Sequence, residues 1–329
     1  MSARRRTRVI IDTDPGVDDA LAILLALRSP ELEVVAITTV CGNVTVEQAT
    51  RNLFKVLGLL QRPKDLLIGQ GAACPLIRSL ETATHVHGAD GLGDLGRLRN
   101  SDGSPRYPDP DVPRALPTAQ AVWNEAVRRY PGEVMLITLG PLTNLASALS
   151  ADSTLVHKLP AVVCMGGAIA VPGNVSPAAE FNIFVDPHAA QRVFRSGLPM
   201  TLIPLDITTQ VALNRNAMRA LTAKAAEPVC RFVGDATEAA LHCMERAEGR
   251  AVVHLHDPLA VAVAIDPTLV RLTPLHVEVE TDGQVTRGMT VADRRSLRDA
   301  RKAPANVRAG LAVDTKRVFT LFRDRLCPR

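Results

Sequence analysis

An apolar run, Val9-Ile10-Ile11, leads into four carboxylates within eight residues, Asp12, Asp14, Asp18 and Asp19, wrapped around Pro15-Gly16. A helical pattern follows at once, Ala20-Leu21-Ala22-Ile23-Leu24-Leu25-Ala26-Leu27. Strand, tight turn and helix in that order are the opening of a β-then-α unit, and such folds place their ligands at the carboxyl ends of the strands. Four acids at one strand end repel one another unless something neutralises them. A hard cation with oxygen ligands, Ca²⁺, answers that requirement. The bland alternative stays open for Asp18 and Asp19, which gain from a helix N-terminus without any metal.

The same alternation recurs downstream. Leu32–Val40, Leu66–Ile68, Glu133–Thr138, Ala161–Met165 and Met200–Ile203 read as strands. Helices are expected from Glu47 to Leu59 with Thr45 as N-cap, from Thr118 to Tyr130, and from Asp186-Pro187 onward. This rhythm predicts an α/β fold with an open, mostly parallel, doubly wound sheet and helices on both faces. Helices at Glu227–Glu245 and Pro258–Ile265 make the C-terminal half more helical, and residues 276–280 and 289–291 suggest a late antiparallel hairpin. Residues 69–117, rich in Pro and Gly, lose regular patterning, as functional or mobile segments do. No repeat or linker divides the chain, so residues 1–329 are expected to form one domain, with residues 1–6 as a flexible basic tail.

Composition narrows the function classes. With 47% hydrophobic and 22% charged residues the chain reads as an ordinary globular protein. The net charge of +4 owes much to Arg4, Arg5, Arg6 and Arg8, and no basic stripe with interleaved aromatics follows, so no nucleic-acid partner is expected. No apolar run is long enough to span a bilayer and no secretory segment is evident, so a cytoplasmic location and no membrane partner are expected. The six cysteines lack metal-ligand spacing; several sit in apolar runs and read as small core residues, and a reduced protein is expected.

The acid cluster is not an EF-hand, because positions six and twelve from Asp12 hold Val17 and Ile23 instead of Gly and Glu. A more distant carboxylate, Asp257, stands between an apolar run and a helix, where it also fits an N-cap before Pro258. At this point Asp12-Thr13-Asp14-Pro15-Gly16-Val17-Asp18-Asp19-Ala20 resembles the signature of the inosine-uridine-type nucleoside hydrolases. Gly42-Asn43, His87-Gly88, Leu139 to Asn144, Met165-Gly166-Gly167, Glu180-Phe181-Asn182 and His256-Asp257-Pro258 follow in that family's order, from about Arg8 to the C-terminal helix.

That resemblance implies Asp14, Asp19 and Asp257, with the backbone carbonyl of Leu139, as Ca²⁺ ligands, and Asp14 also as general base. It implies that Asp18, Asn43, Asn174, Glu180 and Asn182 hold the ribose hydroxyls and that Met165 lines the sugar pocket. His87 and His256 lie beside the base, with His256 as proton donor to a purine leaving group, and Asp12 becomes a support behind the ligands. The implied reaction is Ca²⁺-dependent hydrolysis of the N-glycosidic bond of a ribonucleoside, and the implied assembly is a homodimer or homotetramer. Taken alone, Asn43, Asn174 and Asn182 also read as turn residues.

The chemistry agrees with that reading. Breaking an N-glycosidic bond builds positive charge on the ribose, which an anionic pocket stabilises, and a nearby carboxylate suffices as base for an activated water. The sequence departs at Phe232–Val253, where pyrimidine-preferring relatives commonly place tyrosines and this chain offers Phe232, His242, Cys243 and Met244. Purine or pyrimidine preference therefore stays open. Two rival classes share the acidic motif: a metal-dependent phosphohydrolase and a non-catalytic, Ca²⁺-dependent nucleoside-binding protein. The first wants a phosphate-holding Lys, and Lys55 and Lys64 have no phosphate-loop glycines beside them. The second would dispense with Asp14, which is present.

Overall fold

The structure is a computed structural model that describes residues 6–223, 227–295 and 303–328. The expected basic tail thus lies outside the described residues, Arg6 excepted. In chain order the first half runs β1 (Thr7–Thr13), α1 (Val17–Leu27), β2 (Leu32–Thr39), α2 (Val46–Leu57), β3 (Leu67–Gln70), α3 (Thr84–His87), α4 (Ala119–Arg129), β4 (Val134–Thr138), α5 (Thr143–Ala151), α6 (Leu155–Lys158) and β5 (Val162–Met165). It continues with α7 (Phe181–Val185), α8 (Pro187–Phe194), β6 (Met200–Ile203), α9 (Leu205–Thr208), β7 (Ala212–Asn214), α10 (Arg215–Thr222), α11 (Pro228–Glu248), β8 (Val252–His254) and α12 (His256–Ile265). The chain closes through β9 (Val270–Leu275), β10 (Val277–Val279), β11 (Thr290–Ala292), β12 (Val307–Val313) and α13 (Thr315–Leu326).

Eight strands form the main sheet in the order β3-β2-β1-β4-β5-β6-β12-β9, every pair parallel except β12 with β9. The chain winds outward from β1 to β3, then returns to the other side of β1 at β4. The crevice beyond the ends of β1 and β4 is therefore the topological switch point. Both faces are covered, which is why β1 and β2 read as continuous apolar runs and not as alternating ones. On one face α1, α11, α12 and α13 share a core with Leu21, Ile23, Leu24 and Leu25, all at or below 1% exposure. Burying each such side chain contributes about 1.5–3 kcal/mol. On the other face α4, α5 and α8 pack around Trp123 and Phe194.

The doubly wound sheet is as expected, and the late hairpin is β10 paired with β11. Thr45 caps α2 through Gln48 N–H, and Asp186 caps α8 through Ala189 N–H. Two strands of the main sheet were not anticipated, nor was the separate β7–β8 pair. β12 carries Arg308 and Gly310, and β9 carries Arg271 and Pro274, so neither shows the apolar run of a buried strand. The reading of all six cysteines as reduced is corrected: Cys230 and Cys327 form a disulfide between residues 97 apart in sequence, with Cα atoms 5.0 Å apart. Packing of α11 against the end of α13 creates that pair, and no local spacing announces it. Cys41 and Cys164 are buried as expected, whereas Cys74 is exposed. Among the described residues no helix is long and apolar enough to cross a membrane.

Candidate active site

The site forms where strand ends and two helix starts converge. α1 and α12 pack side by side, so Asp18 and Asp19 in the first turn of one meet Asp257 in the first turn of the other. A ligand oxygen from each of the three lies within 4.8 Å of the others. Partial positive charge at both helix N-termini favours acids there, although it does not neutralise three of them. Asp257 is not the cap its Pro258 neighbour suggested: α12 begins one residue earlier, at His256, and Leu255 takes the cap position.

Asp19 is held tightly. Its Oδ1 accepts from Thr13 Oγ1 and from Asp14 N–H at 3.2 Å, and its Oδ2 accepts from Gly16 N–H at 3.0 Å and Asn43 Nδ2 at 3.0 Å. Asp14 differs. Its Oδ2 accepts from Asn43 N–H at 2.6 Å, whereas its Oδ1 is buried without a hydrogen-bond partner among the described residues. The backbones of Gly42 and Gly140 close on this carboxylate so nearly that a Cβ would lie 2.1 Å from Oδ2 at one and 2.4 Å from Oδ1 at the other. Asp14 therefore flanks the Asp18–Asp19–Asp257 group, close enough to feel the charge of Asp19 and Asp18.

Crowding shows in the protonation equilibria. Burial, then the charge of Asp19, lifts Asp14 well above the ordinary carboxylate range. Burial and Asp19 push Asp18 up to about 8. Asp257 is raised well above 3.8 by burial and then by Asp18, Asp19 and Asp14. A cation that suits this all-oxygen donor set would reverse the balance and let the acids ionise near neutral pH. The orphaned oxygen of Asp14 and the clustered carboxylates thus fit a hard divalent ion, the group found among the described residues being carboxylates alone.

Asp12 lies behind the group, 1% exposed. Its Oδ1 accepts from Thr38 Oγ1 at 2.6 Å and Asn144 Nδ2 at 2.8 Å, and burial still raises it to about 7. Its backbone carbonyl accepts from Leu139 N–H at 2.8 Å. Asn144 also donates to Thr39 O at 3.0 Å and accepts from Ala72 N–H at 2.8 Å. Trp123 Nε1 donates to Thr38 Oγ1 at 2.9 Å. Thr38 and Asn144 were not singled out from sequence. For Asn144 a signal existed, a polar residue just past the turn that follows β4.

Beyond the acids, Asn182 Nδ2 donates to the Leu139 carbonyl at 2.6 Å and lies 3.3 Å from both the carbonyl and the sulfur of Met165. Asn182 therefore ties the ends of β4 and β5 together. Glu180, 2% exposed, caps α7: Oε1 accepts from Asn182 N–H at 2.8 Å, and Oε2 from Gly167 N–H at 2.9 Å and Ile183 N–H at 3.2 Å. Its charge reaches Asp18, which places it at the same pocket. Asn174 is the outlier. It is exposed on the preceding loop and joins the others through its Oδ1, which accepts from Phe181 N–H at 3.0 Å.

Of the two histidines singled out, His87 accepts at Nδ1 from Val17 N–H at 3.1 Å, and burial lowers its pKa to about 4. His256 shares a 2.7 Å hydrogen bond with Thr208 Oγ1, and burial, then His254, bring it down to about 3. Segment 69–117 and α11 pack against each other: Cys243 Sγ lies 3.0 Å from the carbonyl of His85, and Gly93 abuts the backbone at Ala236. Phe232 is fully buried, edge-on to Tyr107 at 5.5 Å, so it is core and not a face for a base. His242 lies among Glu238, Glu245 and Arg215 on the exposed side of α11. Lys55 pairs with Asp109 at 3.4 Å, so it is committed elsewhere than a phosphate.

Comparison with known proteins matches this architecture. A pyrimidine-specific ribonucleoside hydrolase RihA from Shewanella sp. (strain ANA-3) is 38% identical over 319 residues, 97% of this chain and 95% of that protein. A plant nucleoside hydrolase, PpNRh1, superposes with a TM-score of 0.89 at 33% identity, covering 99% of this chain and 100% of that one. A purine-preferring ribonucleoside hydrolase from Gardnerella vaginalis gives a TM-score of 0.85 at 34% identity, covering 97% and 98%. The model of the inosine-uridine preferring nucleoside hydrolases matches residues 9–320, and the chain belongs to that family of N-glycosyl hydrolases.

Proposed function

We propose that this protein hydrolyses the N-glycosidic bond of ribonucleosides to free base and ribose, with Ca²⁺ held by Asp14, Asp19, Asp257 and the Leu139 carbonyl, and with Asp14 as general base. The observation that carries this is the buried, unpartnered Oδ1 of Asp14 beside the Asp18–Asp19–Asp257 group. Held by these residues, Ca²⁺ would supply the positive charge that lets the acids ionise and would make water at the site more acidic. Asp14 takes the proton from the attacking water, and its glycine walls fix where that proton is received. The summed negative charge of the four acids stabilises the positive charge that develops at the ribose ring. Asp18, Asn43, Asn174, Glu180 and Asn182 orient the sugar, Met165 packs on it, and His87 and His256 flank the base. Asp12 holds Leu139 from behind.

Relatives of similar identity are named pyrimidine-specific and purine-preferring, so both base classes belong in the assay. Ribose release is measured from inosine, adenosine, guanosine, uridine and cytidine, with and without a chelator. At least one is hydrolysed, the chelator abolishes release, and Asp14→Ala lowers kcat by at least about 100-fold. Activity that survives complete removal of divalent metal, or activity confined to phosphate esters, overturns the proposal.

A further inference from the structure

Asparagine suits a helix interior poorly because its side chain competes for backbone groups. Asn52 nevertheless stands in the middle of α2, 1% exposed. Its Nδ2 donates to the Pro15 carbonyl at 2.8 Å and to the Asp90 carbonyl at 2.9 Å. Backbone carbonyls only accept, so both amide hydrogens are spent on these two oxygens and the partners fix which way the group faces. Gln48, one turn earlier, agrees with that orientation: its Nε2 donates to Asn52 Oδ1 at 2.9 Å and to the Asp90 carbonyl at 3.3 Å.

Both carbonyls belong to segments at the site. The Pro15 carbonyl and the Gly16 N–H are the two ends of one planar trans peptide. That N–H donates to Asp19 Oδ2 at 3.0 Å, so holding the carbonyl at one end aims the N–H at the carboxylate at the other. Asp90 braces the turn that follows His87. Its carboxylate accepts from the N–H groups of Leu92, Asp94 and Gly96 at 2.8, 2.9 and 3.2 Å, and Gly93 N–H donates to the His87 carbonyl at 2.7 Å. A Cβ on Gly91 would lie 2.9 Å from Asn52 Nδ2, so the backbone of this turn sits directly on the amide.

We infer that Asn52 is a positioning residue for the hydrolysis: it fixes the Pro15–Gly16 peptide, and through it the Asp19 carboxylate, and it holds residues 87–96 against that turn. This rests on the hydrolase reading above and adds to it a residue that acts through two backbone carbonyls. A side chain that merely stabilised α2 would leave both segments undisturbed. Thr50 is such a side chain, buried on the same helix, where its hydroxyl donates to the Val46 carbonyl at 2.7 Å and meets Thr39 Oγ1 at 2.8 Å.

The test is hydrogen exchange of the full, metal-free chain, read by mass spectrometry on peptides covering 14–19 and 87–96, with Ca²⁺ affinity measured by calorimetry on the same proteins. In Asn52→Ala two buried carbonyls lose their donors, so exchange in both stretches should rise at least about tenfold. Ca²⁺ binding should weaken about tenfold, with kcat/KM falling by a similar factor on whichever ribonucleoside the wild type cleaves. Thr50→Val, the control for a weakened α2, should leave exchange in both stretches and Ca²⁺ affinity within about twofold of wild type. Exchange that rises in one stretch alone, an unchanged Ca²⁺ affinity, or the same pattern in Thr50→Val overturns the inference. If Asn52→Ala does not fold, Gln48→Ala decides, because it frees Asn52 Oδ1 and removes one donor to Asp90: both stretches loosen together by about threefold, or the inference fails. Failure of every nucleoside to release ribose, or of the wild type to bind Ca²⁺, overturns the hydrolase reading instead, a result the exchange pattern does not depend on.

Discussion

Substituting Gly42 by Ala isolates the geometric claim about Asp14. Gly42 is not in the left-handed region, so alanine adopts its backbone without strain. What a methyl group meets is Asp14 Oδ2 at 2.1 Å, Asp14 Cγ at 2.8 Å and Pro141 Cδ at 2.8 Å. Ordinary contact begins near 3.4 Å, so the carboxylate must retreat by about 1.3 Å. It cannot swing toward Gly140, whose backbone closes the other side, and any retreat breaks the 2.6 Å bond from Asn43 N–H. A charge-assisted bond of that kind is worth about 1.5–3 kcal/mol, and overpacking adds a similar cost. A reacting group displaced by about 1 Å loses on the order of 100-fold in rate. The expected result for Gly42→Ala is therefore a protein about 2–4 kcal/mol less stable in urea, with kcat reduced about 100-fold where it is still folded. Ribose release and urea midpoints are measured on the same preparations. If kcat stays within about threefold of wild type, the narrow seat is not what positions the base, and the reasoning fails.

Metal removal should interact with pH in a defined direction. Asp12 and Asp18 are raised from 3.8 to about 7 and about 8, and Asp14 and Asp257 are raised as well, so the metal-free fold binds protons more tightly than the unfolded chain does. Their stabilisation is complete below the unfolded pKa near 3.8 and is lost as pH climbs toward about 8. Ca²⁺ favours the ionised acids, so the gap in Tm between loaded and chelated protein should widen from pH 5 to pH 8, and a constant gap would contradict it. Asn144→Ala removes the bonds to Asp12, Thr39 O and Ala72 N–H. A loss of about 2–4 kcal/mol in chemical denaturation is expected, and a loss below about 1 kcal/mol would show that this network does not hold the strand ends.

Much of this protein was legible because its information is local. Val9-Ile10-Ile11 followed by Asp12 to Asp19 announces a buried strand, a turn and a helix start without reference to any other part of the chain. Repetition of that unit is enough to call the doubly wound sheet. The ligand candidates Asp14, Asp19 and Asp257 came from residue type at strand and helix ends together with a family resemblance. β9 and β12 escaped because Arg271, Pro274, Arg308 and Gly310 interrupt the pattern that burial normally writes into a strand. Their place in the sheet comes from pairing with β6 and with each other.

By itself, then, the amino-acid order determined where the turns fall, which runs are buried and that acids crowd one strand end. Only the tertiary structure decided which acids touch. Asp18, Asp19 and Asp257 bring ligand oxygens within 4.8 Å of one another, and Asp14 lies beside them between two glycine backbones. It also decided that Asn144 and Thr38 serve Asp12, that Thr208 reaches His256 and that Cys230 pairs with Cys327. The physical reason is common to all of them. Periodicity and turn chemistry act over a few residues, whereas hydrogen bonds, charge repulsion and close approach depend on distances in space between segments that the chain keeps far apart.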